Sequence, residues 1–85
     1  MDRVIVTIAD KKGEELMDLE LPINQKILDV LNDINQTIEV VRPEKTFNAL
    51  YTTIIVERGN RKLSNENTLE EEKVWNGDKL LLTSV

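Results

Sequence analysis

The chain contains no histidine and no cysteine. That removes the commonest general base, the thiol nucleophile and the ligands of most transition-metal sites. Ser64 and Ser84 have no imidazole to activate them. Gly13, Gly59 and Gly77 are the three glycines and stand far apart, so no phosphate-cradling loop can be built from them. Glu70-Glu71-Glu72, with Asp78 nearby, could offer hard oxygen ligands to a cation such as calcium. The run lacks the alternating spacing of a dedicated loop and reads as a solvated acidic connector. Neither enzymatic chemistry nor a cofactor or metal is expected. Contact chemistry remains. Trp75, just before Asn76-Gly77-Asp78, is a candidate hot spot for binding a protein, although a ring laid over a sheet edge accounts for it equally well.

The charge balance narrows the partner. Sixteen carboxylates stand against eleven bases, a net charge of −5. Phosphate neutralisation needs a basic surplus, and the bases here occur only in small groups: Lys11-Lys12, Arg42 with Lys45, and Arg58 with Arg61-Lys62. Nucleic acid and anionic membrane surfaces are disfavoured as main partners. No apolar run is long enough for a membrane span, and no basic-then-apolar start suggests a signal peptide. With no cysteine there is no disulfide framework, and a cytoplasmic setting is the simplest expectation. The 85 residues make a single domain, 1–85, with little core to spare.

A small sheet and one helix are expected to position these residues. Val4, Val6 and Ile8 alternate with Arg3, Ile5 and Thr7, the period of a half-buried strand over 3–9. Asp10 to Glu14 is a polar turn with Gly13 free to take positive φ. Met17, Leu19 and Leu21 give the second strand of a hairpin, ended by Pro22. Asn24 is read as an N-cap, with Ile23 and Leu28 as a hydrophobic staple around it. Ile27, Leu31, Ile34 and Ile38, with Val30, fall on one face of an amphipathic helix of about three turns. Thr37 to Val41 turns β-branched, and Arg42-Pro43 breaks the pattern.

Residues 42–52 admit two readings: a helical turn begun by Pro43, or a loop tucking Phe47 and Leu50 under the sheet. Thr52 to Glu57 is a strand with Ile54 and Val56 inward. Arg58 to Arg61 is a tight turn into a short strand around Lys62-Leu63. Leu69 and Val74 anchor the connector 67–74, and Asn76-Gly77-Asp78 turns the chain into a last strand, 79–84, with Leu80 and Leu82 inward. The order β-β-α-β-β-β is an α+β, β-grasp arrangement: a mixed sheet with one face under the helix and the last strand parallel to the first.

From Ile54 onward the sequence resembles the second half of ubiquitin, with Leu63, Leu69 and Val74 at the spacings of its core anchors. The small size, the NGDKLLL ending and the absence of a glycine tail resemble the YukD/EsaB family, ubiquitin-like accessory proteins of Gram-positive type VII secretion. Residues 39–52 depart from the short family pattern. The resemblance implies a non-enzymatic, non-conjugated protein working by contact with membrane-associated secretion machinery at the inner face of the membrane. It also marks a departure from ubiquitin: aligned through Leu63, positions of ubiquitin's apolar recognition patch fall at Glu57 and Thr83. Conjugated relatives act through a terminal glycine pair, whereas the last glycine here is Gly77, so a modifier or sulfur carrier is disfavoured. A regulatory, Ras-binding-type domain of a larger protein is the other alternative, and the initiating Met1 weighs against it.

With these registers Ile5, Ile55 and Leu81 point away from the helix on the first, third and last strands, which a β-grasp sheet makes neighbours. They form a candidate protein-contact patch that Val85 would extend. The plainer account is that strands favour β-branched residues at any position. An open strand edge and an apolar face would serve a homodimer equally well.

Overall fold

A computed structural model describes residues 2–84. β1 (Arg3–Asp10) and β2 (Glu15–Pro22) form the N-terminal hairpin, and α1 (Ile27–Val41) crosses the sheet. β3 (Thr52–Val56) and β4 (Arg61–Lys62) make the return hairpin, and β5 (Lys79–Ser84) completes the sheet. The strand order is β2-β1-β5-β3-β4. β5 lies parallel to β1 and antiparallel to β3, so the β-grasp arrangement expected from the element order is the one observed.

Alternation sets the faces. Val4, Val6 and Ile8 of β1, Leu21 of β2, Ile54 and Val56 of β3 and Leu80 of β5 are buried under the helix. From the helix come Ile27, Val30, Leu31, Ile34 and Ile38. Leu63, Leu69 and Val74 close the core from the connector, as their spacing predicts. Gly13 takes φ +90 in the β1–β2 turn, where a Cβ would be strained.

Three local expectations need correction. The N-cap is Lys26, not Asn24, and it makes no side-chain cap bond. The orphan amides of the first turn are instead met from across the fold: Ile27 N–H donates to the Asn67 carbonyl at 2.8 Å and Leu28 N–H to the Asn65 carbonyl at 3.1 Å. Ile23 and Leu28 both pack, partly buried, against the core, but not around a cap at Asn24. The helix also continues through the β-branched run to Val41, 15 residues or about four turns. It stops there because Pro43 disfavours helical geometry at Arg42.

Residues 42–52 combine parts of both readings. Pro43 begins a single 3₁₀ turn to Lys45, and a second spans Ala49–Tyr51. Between them the chain runs back along the helix, with Phe47 N–H donating to Asn35 Oδ1 at 2.9 Å. Phe47 is tucked against the core, whereas Leu50 is 70% exposed.

Candidate functional site

The face of the sheet opposite α1 is uncovered, and its residues fall into rows set by the strand registers. Ile55 of β3 pairs directly with Leu81 of β5. Leu81 in turn pairs with Ala9 of β1, and Ile55 with Lys62 of β4. Ile55 and Leu81 are half-buried and side by side, so the structure brings these two expected site residues together.

Ile5 is not in that row. Ala9 of β1 pairs with Leu81 and Thr7 with Lys79, the first residue of β5, so Ile5 stands four residues from the Leu81 row, a displacement of about 13 Å. Between it and Leu81 runs a polar row. Lys79 Nζ lies 3.7 Å from both Glu57 and Glu15, and Thr7 donates its hydroxyl hydrogen to Asp18 at 2.7 Å. Beyond Leu81 the face is polar again, with the Thr53 and Thr83 hydroxyls 3.0 Å apart. Val85 lies outside the described residues.

Ile5 instead abuts the turn that carries Trp75. Its N–H donates to Asn76 Oδ1 at 2.8 Å, and its carbonyl accepts from Gly77 N–H at 2.8 Å. Thr7 N–H adds a third strap, to the Asp78 carbonyl at 3.0 Å. Gly77 sits at φ +88, a conformation that keeps the turn short. Ile5 is 55% and Trp75 59% exposed.

A second set of contacts fixes the Trp75 ring. The Arg58 guanidinium lies 4.0 Å from the ring centroid, within cation–π range. It also donates to both Asp78 oxygens, at 2.9 and 3.0 Å, and to the Lys73 carbonyl at 3.0 Å. Asp78 is only 6% exposed, and its Oδ2 accepts from Trp75 N–H at 2.8 Å. The Arg58 hydrogen bonds hold the Asp78 carboxyl below the ordinary aspartate range, against the opposing pull of burial. Trp75 is therefore held by its main-chain N–H and by the Arg58 guanidinium while most of the residue stays exposed. Beside it a shallow groove of about 180 Å³ is lined by Arg3, Val4, Ile23, Val74, Trp75 and Asn76.

The acidic run has a structural task that its spacing did not reveal. Glu71 accepts from Thr68 N–H while its own N–H donates to the Thr68 hydroxyl, a reciprocal capping box. Glu72 accepts from Ser64 N–H and from the Asn67 amide. These bonds shape the 64–72 loop whose carbonyls meet the start of α1. Among the described residues no helix is long and apolar enough to cross a membrane.

A family model described as "WXG100 protein secretion system (Wss), protein YukD" matches residues 3–82, including the segment 39–52. The chain belongs to the YukD family. No curated protein matches the sequence.

Among solved structures, this YukD-family chain is similar to the ubiquitin-like domain of the Mycobacterium tuberculosis type VII secretion system protein EccD1. The TM-score is 0.73 at 20% identity, covering 99% of this chain and all of that one (100%). The ubiquitin of Caldiarchaeum subterraneum aligns with a TM-score of 0.71 at 20% identity over 98% of this chain and 94% of its own. A chain of the MycP5-free ESX-5 inner membrane complex aligns over 100% of this chain but only 21% of its own length, with a TM-score of 0.77 and 16% identity. These likenesses establish a ubiquitin-like β-grasp fold for the YukD-family domain. Glu57 is exposed, and the Thr83 hydroxyl lies 3.0 Å from that of Thr53.

Proposed function

We propose that this YukD-family domain is a non-catalytic, non-conjugated interaction module that docks onto membrane-associated secretion machinery from the cytoplasmic side. The observation that carries the reading is the uncovered sheet face, on which Ile55 pairs with Leu81 and Ile5 abuts the strapped Trp75 turn. Membership of a secretion-system family supplies the class of partner. Similarity to a chain of an inner membrane complex supports a membrane-associated one. The net charge of −5 makes a nucleic-acid or anionic lipid partner a poor fit.

The test is a two-dimensional NMR titration of the labelled protein with soluble cytoplasmic domains of a type VII secretion apparatus. Shifts should cluster on Ile55, Leu81, Ile5 and Trp75, and Leu81→Lys should remove them while leaving the spectrum folded. Shifts confined to the helix, or no binding to any component, would sink the reading.

A further inference from the structure

We propose that β2 is a second docking edge, built to accept an extended basic segment of a partner protein as a sixth strand. The two edges of the sheet are unequal. β4 is two residues long, whereas β2 runs for eight and, among the described residues, pairs only with β1. Ile23 N–H donates to the Asp2 carbonyl, which fixes the phase of the ladder, because bonded positions alternate along an antiparallel pair. In that phase Met17, Leu19 and Leu21 bond to β1, and the main-chain groups of Asp18 and Glu20 face outward.

The side chains of this edge specify the occupant. Glu15, Asp18 and Glu20 are all exposed, and Asp18 and Glu20 stand on the outer face opposite Thr7 and Ile5. Asp18 has no cationic partner among the described residues and accepts only the Thr7 hydroxyl. At Glu20 the fold supplies its own pattern of what fits: Arg3 pairs with the carboxylate at 2.9 Å and donates to the outward-facing Glu20 carbonyl at 3.2 Å. On the opposite side of the strand Met17 and Leu19 remain half-buried, packed against the core but not covered. An incoming strand with lysine or arginine toward Asp18 and Glu20 and aliphatic residues between would pair with Asp18, take the place of Arg3 at Glu20 and meet the outward main-chain groups. A second copy of this chain would set acid against acid across the new pair.

The labelled full chain would be titrated with a synthetic peptide of alternating valine and lysine, about eight residues long. The control is the same peptide N-methylated at each lysine amide, the amides that face β2 when lysines stand opposite Asp18 and Glu20, which keeps the charge and loses the ladder. Shifts centred on the Asp18 and Glu20 amides are expected for the first peptide and not the second, and Asp18→Lys should weaken binding about tenfold or more. Equal binding of the methylated peptide would reduce the effect to non-specific charge and overturn the proposal. So would shifts on Ile55 and Leu81, no shifts at all, or concentration-dependent shifts of β2 without peptide, which would assign the edge to a second copy. None of these failures touches the outer-face reading, which the secretion components test separately.

Discussion

Asp78 joins three things that are distant in sequence: the last turn, the Arg58 side chain and the Trp75 ring. Removing its carboxylate leaves Trp75 N–H and the Arg58 guanidinium without their acceptor. Asp78→Ala is therefore expected to cost about 2 kcal/mol, measured by urea unfolding, and to change the emission of Trp75, the sole tryptophan. The pH dependence has a definite sign. A carboxyl whose folded-state pKa is depressed contributes stability that is fully present above about pH 4 and is lost as the pH falls through the lower, folded-state value. Acid unfolding of Asp78→Asn should lack that contribution. The turn itself was legible from Asn76-Gly77-Asp78. The clamp was not, because Arg58 lies twenty positions away and only folding brings it there.

At the scale of the element, α1 shows what periodicity captures and what it misses. The buried stripe was readable because 3.6-residue spacing is a local property. Ile34 and Ile38 are fully buried, so Ile34→Ala should destabilise by about 2–5 kcal/mol. Val40→Lys, on the solvent side, should stay within about 0.5 kcal/mol; chemical denaturation of the pair checks both. The start of the helix was misplaced because its first amides are satisfied by carbonyls of Asn65 and Asn67, some forty residues downstream. A side-chain cap leaves a local signature, whereas main-chain carbonyls leave none. Its end was misplaced because a β-branched run lowers helix propensity only slightly. The break at Arg42-Pro43 was the better signal.

For the whole molecule, strand order followed from the order of elements, but the lateral register did not. Pairing Thr7 with Lys79 places Leu81 beside Ala9 and sets Ile5 apart from it. Nothing in the alternation of either strand reveals this offset, since sliding by two residues preserves every face. The candidate surface is therefore two apolar spots separated by the Lys79–Thr7 row. The same topology predicts a gradient of protection in hydrogen exchange. Amides of Leu80 to Leu82, where β5 is paired on both sides, should exchange only through global unfolding, and those of Arg61 and Lys62 in β4 through cheaper local opening. Comparable rates in the two strands would contradict the topology.

The strand at the centre of the sheet is also the last to be synthesised. Until Lys79 and its successors emerge, the two hairpins have no strand between them, and β1 and β3 each expose a flank. The separation in sequence between β1 and β5 gives this pairing the largest loop-closure cost in the sheet. Translation supplies the central strand after its neighbours, so the sheet can close only once β5 has emerged.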